Sequence, residues 1–141
     1  MTSWQTLYAG DGAGPYLRLS EPISFWGGVD PATGVITTSR HPQCGENIGG
    51  SVLALPPMIG SSSSSGILLE LLRSGAAPAA MILAEVDAIL IMGCVVGREL
   101  EYPCPPVVVG ALPDYPNGTP VRVNALSESQ GARVAREHFP A

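Results

Sequence analysis

The chain contains no lysine; all seven of its basic residues are arginine. A Schiff base, a Walker-type phosphate lysine and a lysine general base are therefore excluded as contributions of this chain. Charge of either sign is scarce, at 13% of residues, and the formal balance is −5. So few cations cannot build a basic patch, which sets nucleic acid aside as a partner. Cysteine is scarce as well. Cys44, Cys94 and Cys104 have neither CxxC spacing nor an even count, so no metal site is expected here. Cys94 stands in an apolar stretch and reads as a small buried residue. No apolar run is long enough for a bilayer, the longest being Ala88 to Gly97. Met1-Thr2-Ser3-Trp4-Gln5 lacks the basic start and apolar core of a signal peptide, so none is expected and the cytoplasm is the default location.

What is abundant is apolar surface. Hydrophobic residues make up 45% of the 141, and mean hydropathy is +0.25. That length supports one domain with a core of its own. The charge available cannot cover its outside generously, so a large partner interface is expected.

The first third is rich in Gly and Pro and reads as β structure. Tyr16-Leu17-Arg18-Leu19 alternates, Ile23-Ser24-Phe25-Trp26 follows the Glu21-Pro22 break, and Val35-Ile36-Thr37-Thr38 resumes a strand. Between them Asp30-Pro31-Ala32-Thr33-Gly34 has the residues of a tight turn. After Gly49-Gly50 the pattern becomes strand, helix, strand, helix, strand. Strands are expected at Ser51–Leu55, Ala79–Leu83, Pro105–Val109 and, last, Pro120–Asn124. One helix runs from Ser63 or Ser64 to Ser74 with Gly75 as its stop. The second is capped by Asp87, continues through Leu100, and is apolar enough to be buried on much of its surface. Residues 126–141 are polar and read as a frayed or short helical tail beyond a domain of residues 1–125.

The run Gly60-Ser61-Ser62-Ser63-Ser64-Ser65-Gly66 stands between the first of these strands and the first helix. Hydroxyls and backbone N–H groups meet there at a helix N-terminus, where the dipole favours an anion. A flexible linker has similar composition, but it does not normally sit between two strongly patterned apolar segments. The loop also leaves the carboxyl end of a strand, where ligands gather in open α/β sheets.

Four stretches carry a specific resemblance. They are Ile23-Ser24-Phe25-Trp26-Gly27-Gly28-Val29-Asp30-Pro31 with Thr33-Gly34; His41-Pro42 with Gly45-Glu46 and Gly49-Gly50; the serine loop through Glu70; and Ala77-Pro78-Ala79-Ala80. On these the chain resembles the small subunit, or swivel domain, of the aconitase X family, over about residues 7–124. The resemblance implies an α/β fold: the swivelling β/β/α domain of aconitases and isopropylmalate isomerases, its β-rich N-terminal half followed by a β-α-β-α-β unit. It implies a hydro-lyase of two subunits, in which this one closes over an active site held mainly by an aconitase X large subunit. An iron or iron–sulfur centre belongs to that large subunit, and no cofactor is expected on this chain. The family's serine base carries over to Ser61. One departure is Ser64, where the family commonly has Gly.

Among family activities the loop looks closer to the bacterial cis-3-hydroxy-L-proline dehydratases than to archaeal mevalonate 5-phosphate dehydratases. The second activity is the alternative, and a non-catalytic anion-binding module of the same fold is another. A small carboxylate substrate is expected in either enzyme. Gly60, Ser62, Ser63, Ser65 and His41 are the candidate substrate contacts. Ser62, Ser63 and Ser65 could instead simply cap the helix, and capping is the stronger reading for Ser63 and Ser64. His41, in a loop before a proline, is expected outside the core, as a substrate or subunit contact or as plain surface. Trp26, Gly27 and Gly28 line the pocket or form a buried aromatic and turn. Asp30 reads as a turn former, and Glu70 as a salt-bridge partner.

Overall fold

A computed structural model describes residues 3–59, 62–127 and 130–137. Seven strands form one curled sheet in the order β1-β5-β4-β3-β2-β6-β7. In chain order they are β1 (Gln5–Tyr8), β2 (Gly10–Arg18), β3 (Val52–Leu55), β4 (Ala80–Leu83), β5 (Val107–Val109), β6 (Pro120–Ala125) and β7 (Ala132–Arg136). The expected β-α-β-α-β unit is present as β3, helix α2 (Ser64–Ser74), β4, helix α3 (Ala88–Glu99) and β5, with its three strands parallel. The caps explain the helix limits. Asp87 Oδ1 accepts from the N–H groups of Ile89 at 3.0 Å and Leu90 at 3.1 Å, and Gly75 ends α2 at φ 78°.

β2 belongs to two layers at once. Gly10–Pro15 pairs antiparallel with β6, whereas Tyr16–Arg18 pairs parallel with β3. The strand passes so close to the next layer that a Cβ at Gly12 would lie 2.0 Å from the Ala79 carbonyl oxygen. An antiparallel bridge between Trp4 and Ala132 draws the two outer edges together. Alternation then sorts side chains to two cores. Leu53, Leu55, Met81, Leu83 and Val107 face the helices, while Val52, Ala54, Ala80, Ile82 and Val108 face the inside of the curl with Val121, Val123 and Val134.

Three local expectations are corrected. Phe25–Gly28, labelled α1, is not strand but a single turn: Trp26 at φ −66°, ψ 114° and Gly27 at φ 77°, ψ −9° have type II turn angles. Val35–Thr38 makes only isolated bridges, Ile36 to Val29 and Val35 to Asn47. The tail is neither frayed nor helical at 132–136, where β7 pairs with β6 in full register. A fourth correction concerns α3, whose outer surface is not buried: Met92 is 55% and Leu100 51% exposed.

Candidate active site

The parallel strands β2 to β5 all deliver their loops to one edge of the sheet. The loop after β2 holds the α1 turn; the loop after the neighbouring β3 leads into the serine run. The Ile59 N–H donates to the Ile23 carbonyl at 3.3 Å, tying the two together. Between them opens a cleft of about 400 Å³, within the range of small-molecule sites. Ile23, Trp26, Gly28, Arg40, His41 and Ile59 are among its walls.

Sequence dictates the cleft's shape through the turn. Phe25 is buried and anchors it, Gly27 supplies the positive φ, and Trp26 is left 61% exposed on the rim. Asp30 closes the next turn as expected, its Oδ1 accepting from Ala32 N at 2.9 Å and its carbonyl accepting from Gly34 N at 2.8 Å.

His41 is not outside the core. It is 6% exposed, and both ring nitrogens are engaged with backbone. Gln43 N–H donates to Nδ1 at 3.0 Å, so Nδ1 is an acceptor; Nε2 lies 3.0 Å from the Glu21 carbonyl oxygen, which can only accept. Those partners assign the neutral tautomer with its proton on Nε2. Gln43 adds bonds to Ser20 N at 2.8 Å and to the Arg18 carbonyl at 3.1 Å. His41 thus shapes the cleft by holding residues 18–21 against 41–43. Its neighbour Arg40 is a feature sequence reasoning passed over. It lines the cleft, is exposed, and makes no ion pair among the described residues. An arginine beside a His-Pro pair in a chain so poor in cations was the available signal.

Of the serine run, Gly60 and Ser61 lie outside the described residues. Ser62 and Ser63 are exposed. Ser63 occupies the N-cap position of α2, but its side chain makes no capping bond. Ser65 Oγ donates back to the Ser62 carbonyl at 3.2 Å. Ser64 does not cap either: its Oγ is buried and finds no hydrogen-bond partner among the described residues. The expectation of hydroxyl capping at 63 and 64 is therefore corrected. What the helix start retains is its dipole, with no acidic residue in the first turn to neutralise it. Glu70 lies a turn and a half further on. It pairs with Arg73 at 2.8 Å, and that hydrogen bond holds its carboxyl below the ordinary carboxylate value.

Among the described residues, no group of three or more His, Cys, Asp or Glu is placed to hold a metal ion. Cys44 is exposed, and Cys104 Sγ donates to the Cys94 carbonyl at 3.3 Å. Burial pushes the Cys94 thiol up to about 12 and raises that of Cys104 too, so neither is poised as a thiolate ligand. Among the described residues, no helix is long and apolar enough to cross a membrane.

Comparison with known proteins bears on this edge. Residues 2–132 match the aconitase X swivel domain family. A cis-3-hydroxy-L-proline dehydratase of Hypocrea jecorina (strain QM6a) is 43% identical over 106 residues, which cover 75% of this chain but 18% of the relative's length. A phosphomevalonate dehydratase small subunit of Methanopyrus kandleri is 45% identical over 78 residues, 55% of this chain and 58% of that subunit. The chain thus spans about a fifth of the first relative's length. A crystal structure of Thermococcus kodakaraensis aconitase X in its holo form superposes with a TM-score of 0.82 at 27% identity. That match covers 97% of this chain and 98% of the other.

Proposed function

This chain belongs to the aconitase X swivel domain family, and on that premise we propose that it is the small, swivelling subunit of a heterodimeric, cytoplasmic dehydratase acting on cis-3-hydroxy-L-proline. The observation that carries this reading is one of position. A helix start with no acidic residue in its first turn and a cleft whose arginine has no ion pair among the described residues meet at the same edge, joined by Ile59, one residue before Gly60.

Dehydration of such a substrate breaks a C–H bond beside the carboxylate. Its electron pair forms the C=C bond, and the neighbouring hydroxyl leaves as hydroxide, which takes up a proton from solvent to become water. Ser61 is the proposed proton acceptor. A neutral hydroxyl is a weak base, so its alkoxide needs stabilisation, the work of helix N-terminal N–H groups and of a nearby cation from either subunit. In this reading Arg40, in the cleft, pairs with the substrate carboxylate, and Gly60, Ser62, Ser63 and Ser65 are the further proposed substrate contacts. His41 is a positioning residue in this scheme, because its nitrogens are committed to Glu21 and Gln43. An iron or iron–sulfur centre belongs in this reading to the large subunit. Closure of the domain would exclude water and strengthen each polar contact.

Mevalonate 5-phosphate is the second reading, favoured by the identity with phosphomevalonate dehydratase small subunits. Against it, the cleft offers one arginine and also Glu21, a sparse setting for a substrate carrying both phosphate and carboxylate. The test is to purify the chain with an aconitase X large subunit from the same genome and supply both compounds. Formation of pyrroline-2-carboxylate from the hydroxyproline is expected. Turnover of mevalonate 5-phosphate alone would install the second reading, and turnover of neither would favour a non-catalytic anion-binding module.

A further inference from the structure

Helix α3 is apolar on nearly every side. Leu90, Gly93, Cys94 and Gly97 are buried against the sheet and α2, as an amphipathic helix requires. A second stripe points away from that core. Ile89, Met92, Val96 and Leu100, spaced three, four and four residues apart, lie on one face at 37%, 55%, 39% and 51% exposure. Val95 at 45% and Val86 at 63% widen it. No charged residue interrupts the helix from Ala88 to Gly97. A chain that spends its few charges elsewhere and leaves this helix bare has a surface suited to permanent cover.

We infer that this stripe is the docking face for the large subunit, an inference that rests on the dehydratase reading above. Two observations select that occupant. The matched part of the Hypocrea relative is 18% of its length, so more than four-fifths of that polypeptide lies outside what this chain supplies. The stripe also begins at Val86 and Ile89, on the loop and first turn after β4, at the same sheet edge as the cleft and the serine run. A body completing the site at that edge meets the start of α3, and the stripe extends the contact down the helix. Trp26 and Ile59 are likewise exposed, at the cleft on the same sheet edge.

The test measures binding of the purified large subunit to the wild-type chain, to a Met92→Glu/Val96→Glu double variant and to Glu70→Ala on the outer face of α2. The inference expects the double variant to weaken the complex by about 100-fold or more, and Glu70→Ala to bind as wild type. The circular-dichroism melt of the free double variant should stay close to wild type, since both side chains are already partly in water. Hydrogen exchange of the wild-type complex needs no variant, and slowed exchange across residues 88–99 is expected there. Binding of the double variant at wild-type strength, or unchanged exchange at 88–99, overturns the inference and leaves the dehydratase reading standing. A homodimer that the double variant dissociates, with large-subunit binding unaffected, assigns the face to a second copy and also overturns it. If the wild-type chain does not bind the large subunit at all, the dehydratase reading falls and the inference falls with it.

Discussion

The two long helices pack against each other on one face of the sheet, yet they meet water in different ways. α2 buries Leu68, Leu71 and Leu72 and turns Glu70 and Arg73 outward as an ion pair. α3 buries Leu90 and Cys94 and turns Met92, Val95, Val96 and Leu100 outward. The first is finished within this chain: an apolar stripe inside, charge outside, and a start at the same sheet edge as the candidate site. The second is unfinished, because its outer face stays about half exposed after folding. The difference separates two tasks, holding the serine run and holding a partner.

The largest expected effect lies at the start of α2. Ser61→Ala should cut turnover of the assembled enzyme by about 10²–10⁴-fold or more without loosening assembly. Steady-state rates and size-exclusion of the complex check both halves. Next comes packing. Leu68→Ala, fully buried on the inner face of α2, should cost about 2–5 kcal/mol in urea unfolding of the free chain. Met92→Ala on α3 should stay within about 0.5 kcal/mol. Equal losses would erase the contrast between the helices.

Capping gives a smaller contrast. Asp87 carries two N–H bonds at the start of α3, so Asp87→Ala should cost about 1 kcal/mol in the same experiment. The remaining effect is confined to alkaline pH and belongs to the sheet interior. Tyr16 is buried, with its hydroxyl donating to the Pro113 carbonyl at 2.6 Å, and burial pushes its phenol up from 10.0 to about 12. Its folded value lies above the unfolded one, so its contribution is intact below pH 10 and is lost as pH rises toward 12. Cys94 acts in the same sense from 9.0 to about 12. Tyr16→Phe should flatten part of the loss of melting temperature above pH 10.

How much of this was legible in the sequence depended on whether the cause was local. The ends of α2 and α3 were, because Gly75 and Asp87 act within a turn of themselves. β3 and β4 were, because runs buried on both faces have few alternatives. The α1 turn was not. Ile23 and Phe25 are both buried, which imitates a strand, and only the backbone at Trp26 and Gly27 distinguishes them. β7 was hidden by its composition, since Val134 is its buried hydrophobe between Arg133 and Arg136 at a sheet edge. His41 drew attention as a candidate, but its burial depends on a carbonyl twenty residues upstream. An all-apolar helix such as α3 looks the same in sequence whether its second face meets its own core or another chain.

The most direct test of the central claim, that the serine run beside α2 removes a carbon-bound proton, is isotope exchange at that carbon. The complex of this chain with its large subunit would be incubated with cis-3-hydroxy-L-proline in D₂O, and deuterium incorporation into unreacted substrate followed by NMR. The account predicts exchange by the wild-type complex and a loss of about 10²-fold or more in Ser61→Ala, with the complex still assembled. Exchange by Ser61→Ala at the wild-type rate would contradict it.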